Sequence, residues 1–528
     1  MRLTTAACLL LIVSFLLTGP ATAQQTGAPS ADDAIARIRD EGLNRSKVLE
    51  TLSYLSDVIG PRLTNSPQFR RAAAWTRDRL ASWGLQNARL EAWGPFGRGW
   101  EIKRFSAEVV EPQAIPLIAY PKAWSPGTNG PVVSEVVYVD AQDEAGLEKF
   151  KGQLKGKIVL TGAVREVKAR FKPVATRWTE EEMLNATTDA PFPPTNPAFS
   201  SQPSEAELAE ARFAARRRAF AAGEAPALIV EPSSEWDGGT ILVQGAFVPP
   251  PAAGGRRMRP WDKDVTGVVP QVVVSVEHFN RLARMIRAGE RVRMAVNLDV
   301  RFYDEDLMCT NTVAEIPGTD LKDELVVIGA HLDSWHAGTG ATDNGAGVAV
   351  MMEAARIIQA AGLKPRRTIR VALWGGEEQG AQGSRTHVEQ NFAKLGPPVV
   401  PGPGFDKLSA YFNVDAGTGR VRGVFLHGNE ALRPVFRPWL ERFRDTGATA
   451  LTLNSDWGSD FVWFEQAGIP VVNFIQDDVE YETRTHHSNQ DVFDRIQPDD
   501  LKQAATIVAA FVYQTAMRDE RLPRKPAK

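Results

Sequence analysis

LVVIGAHLDSWHAGTGATDNGAGVAVMMEAAR, residues 325–356, decides the fold. Leu325–Ile328 is an apolar run long enough for one buried strand. His331 and Asp333 follow it, then a Gly- and Thr-rich loop and Asp343. Beyond Asp343 the period turns helical, with Val348, Met351, Ala355 and Ile358 at helical spacing. The stretch reads strand, polar loop, helix, with His331 at the strand's carboxyl end and Asp343 at the helix's amino end. In open α/β sheets that edge is where ligands bind. Taken alone, Asp343 reads equally well as a helix N-cap, and His331 as a hydrogen-bonded loop histidine.

The same arrangement recurs. Thr368–Trp374 (TIRVALW) ends in Gly375, Gly376, Glu377 and Glu378. Leu408–Val414 (LSAYFNV) ends in Asp415, and Ile469–Ile475 (IPVVNFI) leads through an acidic loop to His486, His487 and Asp491. Four strands thus deliver His, Glu-Glu, Asp and His to one edge, and a helix start delivers a further Asp. Two histidines with three or four carboxylates is the ligand set of a two-metal hydrolytic site, such as two zinc ions about 3.5–4 Å apart. A carboxylate between the ions can bridge both, and the imidazoles complete the separate shells.

At 528 residues the chain is too long for one ordinary core, so at least two domains are expected. Lys and Arg number 61 against 64 Asp and Glu, a formal charge of −3, which gives no hint of nucleic-acid binding. Arg2, an apolar core from Ala6 to Leu17 and the small-residue site Ala21-Thr22-Ala23 read as a secretory signal peptide cleaved after Ala23. A secreted or periplasmic protein with no membrane partner after signal removal is the expectation. Cys309 is then alone in the mature chain, so no internal disulfide forms and stability rests on core burial or metal.

Residues 24 to about 40 read as a loose leader, followed by helical patterns over 46–58 and 66–83. Composition changes near Pro121, where Pro and Gly accumulate. Short strands follow over 132–139, 157–160, 227–230 and 267–276, with one helix opening on a Ser204-to-Glu207 capping box. The domains expected are a signal at 1–23, an amino-terminal part of the catalytic unit at 24–120, a β-rich insertion at 121–298, the catalytic α/β unit at 299–520 and a fraying tail at 521–528. Helices are expected at 344–361, 431–445, 458–467 and 498–517. The insertion holds one histidine, His278, read as structural, and none of the expected ligands. His387 and His427 are read as structural too, while His336 is a candidate for the pocket wall. Gly338-Thr339-Gly340 lacks the third glycine of a dinucleotide loop, and Ser334 and Ser384 lack a nucleophile-elbow context.

With these residues in hand, the sequence resembles the M28 family of zinc aminopeptidases and carboxypeptidases, and within it the carboxypeptidase Q-like branch. The matching pieces are His331-Leu332-Asp333, Thr342–Gly347 (TDNGAG), Gly376–Gly380 (GEEQG), Asn413-Val414-Asp415 and His487–Asp491 (HSNQD), with Gly60-Pro61-Arg62 near the amino end. The insertion resembles a protease-associated domain. The resemblance implies a three-layer α/β fold of the zinc exopeptidase type, with a mixed, mostly parallel sheet and helices on both faces. It implies two Zn2+ ions, with His331 and Asp415 on one, Glu378 and His487 on the other, and Asp343 bridging. Glu377 would be the general base, activating water for attack on a peptide carbonyl and passing the proton to the leaving amine. Asp333 would orient the His331 ring. Some members carry Tyr before the last histidine; here it is His486, which takes the oxyanion-stabilising role in this reading. Ser459-Asp460 is followed by Phe461, where members often have His, which bears on substrate preference.

The function implied is a secreted di-zinc exopeptidase acting on peptide substrates. Aminopeptidase or dipeptidase action is favoured over carboxypeptidase action, and a homodimer is a further expectation. An acidic anchor for a substrate amine is available in Asp477, Asp478, Glu480 or Glu482, and a cationic anchor for a carboxylate in Arg484. A glutaminyl-cyclase-like zinc transferase and a non-catalytic binding relative stand behind these.

Overall fold

In the computed structural model, which describes residues 30–187, 204–251 and 255–525, the Leu325 run lies inside the strand Leu321–His331, near the middle of an eight-stranded sheet. In spatial order the sheet runs Gln86–Trp93, Cys309–Ile316, Arg367–Trp374, Leu321–His331, Leu408–Asn413, Val471–Gln476, Val421–Phe425 and Ala450–Thr452. The four strands from Arg367–Trp374 to Val471–Gln476 are mutually parallel, and antiparallel pairings flank them on both sides. The register pairs His331 with Trp374, Gly329 with Asn413, and Asn413 with Asn473. The loops after these strands therefore leave from one edge.

Strand alternation builds two cores, because successive side chains point to opposite faces. Val326, Ile328 and Ala330 pack with the helices Ala346–Ala360 and Pro498–Met517, whereas Val327 packs with Gln382–Asn391 and Phe461–Gln466. This is the expected mixed sheet with helices on both faces. Ala346–Ile358 is buried at every position, as an apolar helix inside a large protein must be. Its one ion pair, Glu353 with Arg356, is closed by Glu41 at 2.7 Å from Arg356 Nη1 and by the Ser46 hydroxyl and Lys47 amide on Glu353.

Three expectations shift. The leader is not loose from residue 31: Ser30 caps the helix Ala31–Asn44, whose Ala34, Ile35, Ile38 and Glu41 are buried. Ala and charged residues dilute that stripe until it no longer reads as periodic. The helix expected from 344 begins at Ala346, because Asp343 and Asn344 have non-helical backbone inside a tight turn, Ala341–Gly345. The tail does not fray as far as it is described: Leu522 is buried, and Pro523 accepts a hydrogen bond from the Asn429 amide. The expected signal segment lies outside the described residues. Among those residues no helix is long and apolar enough to cross a membrane.

A second eight-stranded sheet has its own core, sealed by the helix Val276–Arg287. Its order is Ile115–Pro116, Gly99–Glu111, Arg293–Tyr303, Val132–Val139, Ile158–Thr161, Leu228–Pro232, Gln271–Val274 and Ala119–Pro121. Its longest pairing joins Gly99–Glu111 to Arg293–Tyr303. The expected borders at 121 and 298 therefore fall inside the sheet, because the Pro- and Gly-rich stretch near 121 is a turn within this unit rather than its entrance.

The two sheets are joined at His336. Its Nε2–H donates to the Pro121 carbonyl at 2.7 Å, and its ring stands edge-on to Trp100 at 5.3 Å. Burial pushes this histidine down to about 4, against a small opposing pull from the Pro121 carbonyl. The unfolded chain binds a proton at this position below about pH 6.5, and the folded chain does not until about 4. The stability it contributes is therefore full above pH 6.5 and lost as pH falls toward 4. Relative to His336→Phe, the wild type should lose about 2 kcal/mol between pH 6.5 and 5. Urea titrations of both proteins at the two pH values measure this, and parallel pH dependence in the two would exclude a buried neutral His336.

Candidate metal centre

The sheet edge gathers the residues singled out above into one buried cluster organised about Asp343. Asp343 Oδ1 lies 3.2 Å from His331 Nε2, which is itself 3.2 Å from Asp415 Oδ1. Asp343 Oδ2 lies 3.3 Å from His487 Nε2, which is 3.0 Å from Glu378 Oε2. One carboxylate thus faces two imidazoles, each with a further carboxylate beside it. His331, Asp343 and Glu378 offer ligand atoms all within 4.8 Å of one another, as do His331, Glu377 and Asp415.

Each side chain is aimed by identifiable neighbours. The Asp343 turn is fixed by Asp491, whose carboxylate accepts from the Thr342 amide (2.5 Å), the Thr342 hydroxyl (2.8 Å) and the Asp343 amide (3.2 Å). Asn344 donates to the Val414 carbonyl at 2.8 Å, tying the turn to the strand end that carries Asp415. Ser459 Oγ donates to Asp415 Oδ2 at 2.6 Å. Gly340, with φ +65°, lets the loop pass Ser334, which a Cβ there would meet at 2.4 Å. Arg62 is fully buried and donates to the carbonyls of Leu332, Thr339 and Gly340, so the amino-terminal segment staples the loop between His331 and Asp343.

Asp333 acts differently from the expectation. His331 Nδ1 donates to the main-chain carbonyl of Asp333 at 2.9 Å, while the Asp333 carboxylate stands 3.8 Å from that nitrogen. The carboxylate instead accepts from the Glu377 and Glu378 amides (3.2 and 3.3 Å) and the Thr64 hydroxyl (2.7 Å). It thereby sets the turn that presents both glutamates. His486 lies against His487, ring centroids 3.8 Å apart, and offers a ring nitrogen to the same cluster as Asp343 and His487. His387 bonds Glu91, and His427 packs edge-on against Phe461; neither enters the cluster.

The electrostatics call for cations. Burial pushes Glu377 and Glu378 well above the usual carboxylate range; Asp415 and Asp460 add to this for Glu377, and Asp343 for Glu378. Burial likewise lifts Asp460 to about 8 and Asp491 to about 7. Asp343 Oδ2 and Glu378 Oε1 are buried with no hydrogen-bond partner. Unpartnered buried carboxylate oxygens are costly unless a cation meets them. Two imidazoles and three carboxylates with inward-facing lone pairs form a donor set that fits Zn2+.

The loop that carries His486 and His487 is held by the second sheet. Arg177 pairs with Asp477 (2.7 Å) and Asp500 (2.6 Å), and Thr176 bridges Val479. Leu242 bridges Ser488, and the Ile241 amide donates to Asn489 Oδ1 at 2.8 Å. The acidic loop is mostly committed to structure: Asp477 to Arg177, Asp478 to the Glu482 amide, and Glu480 to Arg484 and Arg495.

Residues 311–512 match the model of peptidase family M28. Carboxypeptidase Q of Mus musculus is 26% identical over 498 residues, which cover 93% of this chain and 90% of that protein. Among solved structures, a peptidase M28 precursor from Shewanella amazonensis superposes with TM-score 0.64 at 23% identity, over 94% of this chain and all of that one. A zinc aminopeptidase from Bacillus subtilis superposes with TM-score 0.53 at 19% identity, over 90% and 96% of the two chains. These last two establish the fold, and the first two place the motif-bearing strands and nearly the whole chain alongside known peptidases. Residues 311–512, which carry every residue of the cluster, are thus similar to the peptidases of family M28.

Proposed function

We propose that this metallopeptidase is a two-zinc exopeptidase that removes a residue from the free amino end of short peptides, as an aminopeptidase or dipeptidase. The observation that supports it most is the division of Asp343, one oxygen toward His331 and Asp415 and the other toward His487 and Glu378. In this reading His331 and Asp415 hold one ion, His487 and Glu378 the other, and Asp343 bridges. When bound, zinc would supply Lewis acidity, which lowers the pKa of water toward neutrality and polarises a carbonyl.

The chain's own groups supply the rest. Glu377 is at the rim of the cluster, its amide anchored on Asp333. Its carboxyl has a raised proton affinity, so it can take a proton from water and return it to the departing amine. Its neighbour Glu378 turns inward to His487. His486, packed on His487 and Tyr481, is placed to donate to a developing oxyanion. The unit of residues 99–303 is a protease-associated-like cover over this mouth.

Reading of the amino end is favoured by how the loop charges are spent. Arg484 and Arg495 both pair with Glu480, so neither is a free cation for a substrate carboxylate. Glu482, by contrast, keeps a carboxylate oxygen with no hydrogen-bond partner. Carboxypeptidase action, a cyclase-like transfer and a purely binding role are the competing outcomes of the tests below.

Glu377→Gln should lower kcat by about 10²–10⁴-fold while two zinc ions per chain remain bound by elemental analysis. Retained activity would place the base elsewhere. A free dipeptide, its N-acetylated form and its C-terminal amide separate the directions. Cleavage of the amide but not the acetylated form is expected of an aminopeptidase, and cleavage of the unblocked form alone of a dipeptidase. Cleavage of the acetylated form would make it a carboxypeptidase, and none at all with two zinc ions bound would leave transfer or binding. Export with loss of residues 1–23 and assembly as a homodimer belong to the same proposal. Mass spectrometry of protein recovered outside an exporting cell should start at Gln24, and light scattering should give twice the chain mass.

A further inference from the structure

His487 is reached from two sides. Its Nε2 faces Asp343 and Glu378, as described, while its Nδ1 lies 3.3 Å from the side-chain amide of Gln244. Gln244 belongs to the second sheet's unit, not to the catalytic one. The backbone is held by the same short segment: the Val243 amide donates to the His487 carbonyl at 3.3 Å, Leu242 bridges Ser488, and the Asn489 amide donates to Ile241. His487 itself has φ +56°, a left-handed conformation that a side-chain-bearing residue rarely adopts without support.

We infer that Gln244 is a positioning residue for His487, so that the covering unit supplies the outer partner of an imidazole in the metal centre. This rests on the reading of His487 as a zinc ligand. A histidine that ligates through Nε2 needs a lone pair there, so its proton must sit on Nδ1. That proton needs an acceptor, and metal-bound histidines almost always have one. The other histidine, His331, shows the same arrangement with the Asp333 carbonyl. At His487 the group in reach is the Gln244 amide: its Nε2 lies 3.3 Å from Nδ1, and a half-turn of the amide, whose oxygen and nitrogen are interchangeable by rotation, brings the oxygen to the ring as acceptor. The two imidazoles are thus oriented by different units of the chain, one by its own loop and one by Gln244.

The test uses the full-length protein stripped of zinc and reloaded in competition with a chromogenic chelator at pH 7. Gln244 is exposed, so its replacement leaves the core intact. Gln244→Leu should weaken one of the two zinc sites by about 10–100-fold and leave the other unchanged. Gln244→Glu retains an acceptor and should bind at least as tightly as the wild type. Equal zinc affinities in Gln244→Leu and wild type would overturn the inference, as would a Gln244→Glu variant as weak as Gln244→Leu. His487→Ala provides the separate check: loss of one site supports His487 as a ligand, whereas two unchanged sites would remove that reading and the role of Gln244 with it.

Discussion

The structure depends on holding one buried carboxylate between two imidazoles. Asp343 is 4% exposed, His331 1%, and their nitrogens and oxygens lie near 3.2 Å. A carboxylate so buried is tolerable only when both oxygens meet positive charge or hydrogen-bond donors. Asp343 Oδ2 has His487 within reach but no hydrogen-bond partner. Its geometry is therefore imposed from the backbone, through Asp491 on the amides of Thr342 and Asp343 and through Asn344 on Val414. That turn cannot be helical, which is why the helix begins only at Ala346.

The parallel sheet is what makes such a centre possible. Three neighbouring strands ending in register bring His331, Glu377 with Glu378, and Asp415 to one edge without any long loop having to find its place. The exception is His487, twelve residues past Ile475 at the end of a loop that the sheet alone does not determine. The second unit restrains that loop with a salt bridge at its start, Arg177 with Asp477, and a short antiparallel contact at its end.

Much of this was legible in the residues. The α/β layout followed from apolar runs of strand length alternating with helical periods, and ligand-type residues at each run's carboxyl end pointed to one edge. What was not legible depended on pairings between distant positions. Nothing local says that Asp491 holds the Asp343 turn, that Ser459 holds Asp415, or that Arg62 spends its guanidinium on three carbonyls 270 or more residues away. Nor can a His-x-Asp spacing say whether the ring will choose the carboxylate or the main-chain carbonyl; it chooses the carbonyl, and the freed carboxylate sets the glutamate turn. The entrance to the second unit was missed because composition marks turns, whereas a sheet is bounded by its pairings, and Gly99–Glu111 pairs with Arg293–Tyr303.

Contact between the sheet edge that carries the cluster and the second sheet's unit has a physical consequence. Water must be displaced for buried carboxylates and imidazoles to act strongly on a substrate, because their fields are weaker where solvent can reorient. The second sheet's unit meets the first through His336 and through the 477–491 loop, so that unit and the cluster are coupled at those residues. A displacement of the second unit would move Ile241–Gln244, and with it the backbone of Ser488 and Asn489 and the ring of His487. The second unit is therefore mechanically tied to His487, and a shift of one moves the other.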